Sequence, residues 1–199
     1  MATRRDHCAH PLSWCVPGNR AGPRSGMTMI EIAIALTILV SVLLGFSQAL
    51  LGSMVTSRVS REVSVATDGA RQVISDLQGS DFDQVFATFN SSQDGALLGN
   101  TTIVNGGFAI AGLSAQAGDA DGLVGRITFP EVDGDLGPEL REDIADARMG
   151  MPRDLSGDGV DDALDHSTDY RILPVVVEVD WRGASGPAHI EFKTVLSPY

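Results

Sequence analysis

The chain has 199 residues and carries 26 acidic against 14 basic side chains, a net charge of −12 with its four histidines neutral. A surface of that sign repels phosphate backbones, which argues against nucleic-acid binding by charge, and the length allows one ordinary domain plus an anchoring segment. The charge is unevenly placed: residues 1–26 hold Arg4, Arg5, Arg20 and Arg24 against Asp6 alone, a net of +3, so the remainder carries −15 and suits a bound cation better than an anionic partner.

Cys8 and Cys15 are the only cysteines, and both precede Gly26. A chain cut after Gly26 would hold no thiol and no disulfide, so its folded part needs another staple, by burial or by metal.

The first predicted element is apolar. From Ile32 to Ser57 there are 26 consecutive residues without a charged side chain, and about 20 suffice to cross a bilayer as a helix. Four upstream arginines keep the N-terminus cytoplasmic by the positive-inside rule and place the acidic part outside, opposed weakly by Arg58 and Arg61 on the other flank. A cleavable secretory signal fits poorly. Such signals have an apolar core of about 7 to 15 residues with small residues after it, whereas this run is longer and Gly26 stands before it. Cleavage at Gly26 would leave the hydrophobic helix on the product.

One acidic residue, Glu31, interrupts the start of the apolar stretch. A carboxylate at bilayer depth costs a few kcal/mol, so it either snorkels to the interface or has a partner. The candidate partner is the amine of a newly exposed Met27, one helical turn away in the same chain or in a neighbouring subunit.

Gly26-Met27-Thr28-Met29-Ile30-Glu31, followed by Ile32, Ala33, Ile34, Ala35 and Leu36, resembles the prepilin-type processing motif of type IV pilins and type II secretion pseudopilins. The resemblance implies that a prepilin peptidase cuts between Gly26 and Met27 and methylates Met27, and that Glu31 pairs with a neighbouring subunit's N-terminus to set axial register. It also implies a single-pass protein of the bacterial inner membrane with a periplasmic or extracellular head. Such a protein is assembled with other pilin or pseudopilin subunits on an inner-membrane platform into a type IV pilus or a type II secretion pseudopilus. The missing cysteines, and Gln48 where major pilins often carry a stem proline, point to a minor subunit. The competing expectation is a signal-anchored exported domain that binds calcium or another ligand and never polymerises.

Beyond the span, apolar residues recur at Val55, Val59, Val63, Ala66, Ala70, Val73 or Ile74, and Leu77, the spacing of one helical face. Arg58 and Glu62 form an i,i+4 pair on the predicted outer side. With no proline between Met27 and Gln78, and Gly79-Ser80 as a stop, one helix of about 50 residues, roughly 75 Å, is expected. The resulting division is a leader at 1–26, a transmembrane or filament-core half-helix at 27–57, an amphipathic half at 58–79, and a head at 80–199.

Ser80 to Gly99 reads as loop with a short helical piece. Thr101–Val104 and Phe108–Ile110 flank Asn105-Gly106, a hairpin signal because that turn needs positive φ. Leu123–Phe129 is a third β-like run, ended by Pro130. Val175–Trp181 and His189–Val195 predict an antiparallel pair with one buried face. The fold class expected is α+β, a long N-terminal helix packed on a small antiparallel sheet.

A last motif lies between these strands. Counting Asp154 as position 1, side-chain oxygens of Ser156, Asp158, Asp162 and Asp165 fall at 3, 5, 9 and 12, Gly159 stands at 6, and Val160 offers its carbonyl at 7. That is calcium-loop spacing, similar to dockerin and EF-hand loops, although Asp165 replaces the usual glutamate and flanking helices are not predicted. An isolated structural Ca²⁺ loop and a solvated acidic turn both remain open here. A second acidic cluster, Asp119, Asp121, Glu131, Asp133 and Asp135, lacks the spacing and reads as solvated turns. Of the two histidines after Gly26, His189 reads as a packing residue in a strand. His166 stands in Asp165-His166-Ser167, whose adjacent side chains do not converge on one substrate atom. No catalytic residues are assigned, and the expectation is a non-enzyme.

Overall fold

The computed structural model describes residues 26–198. The predicted leader, Cys8 and Cys15 therefore lie outside the described residues, Gly26 excepted. Contacts divide the chain between Ser47 and Gln48 into two units.

The first unit is the start of helix α1, Met29–Gln78, a single 50-residue helix. Thr28 caps it: the Glu31 amide donates to Thr28 Oγ1 at 3.4 Å and to the Thr28 carbonyl at 3.0 Å. Thr28 followed three residues later by Glu31 is the order of a capping box, in which threonine at the N-cap precedes glutamate in the first turn. Every residue of this unit from Gly26 to Ser47 is exposed, and the helix is long and apolar enough to cross a membrane. The hydroxyl groups that interrupt it do not need water. Thr37 donates to the Ala33 carbonyl at 2.8 Å, Ser41 to Thr37 at 2.8 Å and Ser47 to Leu43 at 2.9 Å, so each is satisfied one turn back within the helix.

The second unit begins inside α1. Burial sets in at Val59, and Ala66, Ala70, Val73 and Leu77 are fully buried at the expected spacing. The buried stripe is rotated slightly from the sequence expectation. Val55 and Val63 remain 45% and 40% exposed, while Glu62 turns inward and accepts a hydrogen bond from the Ala184 amide at 3.0 Å. The expected Arg58–Glu62 pair does not form, because a main-chain donor outcompetes an exposed ion pair that contributes only a few tenths of a kcal/mol.

A short second helix, α2 (Phe82–Phe89), buries Val85, Phe86 and Phe89. Eight strands follow: β1 (Asp94–Leu98), β2 (Thr101–Val104), β3 (Gly107–Phe108), β4 (Gly125–Thr128), β5 (Glu131–Gly134), β6 (Gly137–Leu140), β7 (Leu173–Gly183) and β8 (Gly186–Leu196). Six form one antiparallel sheet in the order β1-β2-β3-β4-β7-β8, and β5-β6 form a separate hairpin. The α+β architecture, a long helix with a small antiparallel sheet, is as the sequence predicts.

Each confirmed strand has a local cause. At the β2–β3 turn, Asn105 and Gly106 have φ of 50° and 73°, the two left-handed residues a tight hairpin turn requires. β7 and β8 are longer than the alternation suggested and pair from Leu173↔Leu196 to Gly183↔Gly186 around a two-residue turn. Pro187 is tolerated because β8 is an edge strand. β1, β5 and β6 were not expected; the β5–β6 hairpin occupies part of what read as solvated acidic turns.

α1, α2 and the sheet share one hydrophobic cluster that includes Ala70, Phe86, Phe108, Ile127, Val177 and Trp181. Inside it, Gly125 faces Phe108: a β carbon added there would lie 2.2 Å from the ring. Gly125→Ala is therefore expected to destabilise this unit by about 1–3 kcal/mol through overpacking. A thermal melt checks this, and a midpoint equal to the parent's would contradict the contact.

Candidate functional site

Two places carry the residues singled out by sequence. The first is the start of α1. Gly26, Met27 and Glu31 are all exposed, with Glu31 in the first turn, where the unsatisfied amides of a helix N-terminus favour an acidic side chain. Glu31 thus holds a local capping position.

The second is the connection between β6 and β7, residues 141–172, which has no helix or strand of its own. Loops that long in a compact unit are usually functional, and this one is built rather than loose. Leu155, Met149, Met151 and Tyr170 are buried. The Arg171 and Ile172 amides donate to the Leu155 carbonyl at 2.7 and 3.2 Å, and His166 N to the Leu140 carbonyl at 2.8 Å. Tyr170 Oη donates to the Phe82 carbonyl at 2.6 Å and its ring packs on Phe82, so the connection is pinned to α2.

The calcium-spaced stretch lies here. Gly159, at position 6, has φ of 89°, and Gly157 has φ of 80°, conformations that side chains disfavour. Asp154 receives the Gly159 amide on Oδ2 at 2.8 Å, and Asp158 receives the Val160 amide at 2.8 Å. Burial works against ionisation of Asp154, but amide hydrogen bonds from Gly159 and Gly157 outweigh it and hold the carboxyl below its usual range. Asp162 is likewise held low, by the Leu164 amide and then by His166.

The six predicted ligands do not all converge. The side chains of Asp154 and Asp158 come together with a residue the sequence reading missed, Glu142, and Asp162 joins Glu142 and His166 in a second group. Ser156 is buried close to Asp154, its hydroxyl 3.4 Å from Asp154 Oδ1, and the Val160 side chain is exposed. Asp165 belongs to neither group. Its Oδ1 accepts from the Leu140 amide at 3.1 Å and the Ser167 amide at 2.9 Å, which spends it on holding the loop to β6.

Glu142 has no exposed surface. Its Oε1 accepts from the Leu155 and Ser156 amides at 2.6 and 2.9 Å, and its Oε2 is buried without a hydrogen-bond partner. An orphaned buried polar atom of this kind costs about 1–3 kcal/mol. His166 Nε2 lies 3.7 Å from it, beyond hydrogen-bond range but close enough for an ion pair when the imidazole is protonated. Nothing in the sequence pattern marks Glu142, which sits outside the 154–165 spacing in the charged run Arg141-Glu142-Asp143.

His166 is buried between Asp169, 3.1 Å from Nδ1, and Asp162, 3.2 Å from Nε2. Burial alone would push its pKa down, but the two carboxylate hydrogen bonds and the nearby Glu142 hold it above the ordinary histidine value. His189, by contrast, is not the packing residue expected: it is half-exposed on β8 and faces Asp180 at 3.0 Å.

No family model, curated protein or solved structure matches this chain.

Proposed function

We propose that this chain is a minor prepilin-like structural subunit, cut by a prepilin peptidase between Gly26 and Met27. In this reading it waits as a single-pass protein of a bacterial inner membrane with its head on the far side. Other pilin or pseudopilin subunits and the assembly platform then draw it into a type IV pilus or a type II secretion pseudopilus. The observation that carries the reading is the beginning of α1, where Glu31, the sole charged side chain between Arg24 and Arg58, sits in the first turn of an apolar helix a few residues after a glycine.

A tether needs only an apolar span. This one adds a carboxylate at its entry and a row of small residues, Ala33, Thr37, Ser41 and Gly45, spaced four apart, which lets helix backbones approach closely in lipid. Beyond its own helix backbone, a β carbon at Gly45 would meet nothing within 4 Å among the described residues. The glycine is thus not demanded by internal packing, and a neighbouring helix would make use of it. The role is structural and calls on no catalytic residue.

Mass spectrometry of the N-terminus of membrane-extracted protein tests the reading. An N-methylated Met27 is the expected result, and a chain that still begins at Met1 leaves a plain signal-anchored domain instead.

A further inference from the structure

We propose that the 141–172 connection binds one calcium-like cation, and that Glu142, from outside the 154–165 loop, is its buried ligand alongside Asp154 and Asp158. This stands whether or not the chain enters a filament.

Oxygen atoms of the three carboxylates lie within 4.8 Å of one another. Like charges that close repel, yet the separation fits a shared ion, because two oxygens each bound to calcium at 2.3–2.6 Å are at most about 5 Å apart. Glu142 is fixed in place. The Leu155 and Ser156 amides hold its Oε1, and its Oε2 is buried without a hydrogen-bond partner, 3.7 Å from His166 Nε2. The two amides belong to the residues directly after Asp154, so the contacts that fix Glu142 also fix the start of the loop.

The site is an oxygen site. Among the described residues the nitrogen ligand within reach is His166, which has a carboxylate on each ring nitrogen and so offers no free lone pair to a softer metal such as zinc. The irregular loop, with left-handed turns at Gly157 and Gly159, suits the flexible coordination of calcium better than the strict octahedron of magnesium. Three carboxylates leave further positions for main-chain carbonyls and water. Glu142 thereby supplies the carboxylate that position 12 provides in a helix-flanked loop, a place Asp165 does not fill because it is bonded to Leu140 and Ser167. The ion would join the start of the irregular stretch, at Glu142, to its middle, at Asp154 and Asp158, a staple in a part of the chain that has no cysteine.

The test uses the full chain purified in detergent, stripped with a chelator, and titrated with CaCl₂ by calorimetry and by thermal melting. One calcium per chain is expected, with Kd of about 10⁻⁴–10⁻³ M or tighter and a melting point that rises with calcium. Glu142→Gln and Asp158→Asn should each weaken binding by about tenfold or more, since ligand charge sets affinity in such loops. Asp158 is exposed, so its variant keeps the fold and carries the test alone if Glu142→Gln does not fold. No heat and no melting shift at about 5 mM CaCl₂, full calcium affinity in Asp158→Asn, or preferential uptake of zinc through His166 overturns the proposal.

Discussion

Glu31→Ala, in a chain that assembles as proposed, is expected to enter the membrane at least as well as the parent chain and to be depleted from assembled filaments by roughly tenfold or more, each factor of ten being about 1.4 kcal/mol. Insertion cannot suffer, because a charge in an apolar span opposes it, by about 2.5–3.5 kcal/mol at mid-helix and less near an end. Incorporation should suffer because a carboxylate in the first turn of an apolar helix has to find a cation once water is excluded, and processing after Gly26 would create one at Met27. The local alternative is the cap: Thr28 and Glu31 stand in capping-box order, and loss of a cap costs about 0.5–2 kcal/mol on its own. Glu31→Gln separates the two, since glutamine serves in a capping box as well as glutamate does but carries no charge. If Glu31→Gln assembles like the parent, the ion pair is discarded and only the cap remains. Fractionation of sheared filaments against inner membrane, with quantitation of the subunit in each, supplies the measurement.

What could be read from sequence depended on how local the cause was. The continuity of α1 follows from proline-free helical spacing and a Gly79-Ser80 stop, and it ends at Gln78 as expected. The Asn105-Gly106 turn and the β7–β8 pair were legible for the same reason, a residue requirement or an alternation within ten residues. β1 and the β5–β6 hairpin were not, because Asp94-Gly95 and Val132 to Gly137 are rich in Asp and Gly, which strand propensity disfavours. Pairing overrides that propensity. The calcium-spaced loop shows the same limit from the side of function. Its turn at Gly159 was readable from spacing, whereas Glu142 comes beside Asp154 and Asp158 through tertiary packing and Asp165 bonds the Leu140 amide. Spacing reports which groups could meet along the chain; it is silent about a carboxylate that arrives from another segment.

Trp181→Ala should be the most damaging single truncation in the second unit, with a loss of about 3–5 kcal/mol. Trp181 is 1% exposed and the largest of the fully buried side chains, and it sits where β7 leaves its pairing with β4, whose last paired residues at that end are Gly125 and Val179. Its indole also borders the docking of α1. A β carbon placed on Gly183 would lie 2.8 Å from Glu62 Oε2 and 3.3 Å from Trp181 Nε1, so the ring fills the corner where α1 meets the β7–β8 turn. Against a total stability of about 5–15 kcal/mol for a domain, the loss is a large fraction, and the melting point should fall by about 10–20 °C. Leu97→Ala provides the control, because Leu97 is 73% exposed and its loss should stay within about 0.5 kcal/mol. The chemistry of the ring gives a sharper check. Nε1 of Trp181 is buried without a hydrogen-bond partner, and Trp181→Phe removes that orphaned donor while opening only a small void. The two effects oppose each other, so Trp181→Phe should cost less than about 1.5 kcal/mol. A Phe variant as unstable as the Ala variant would mean that the indole N–H is satisfied in solution, and that the corner between α1 and the β7–β8 turn is held by that hydrogen bond instead of by apolar volume.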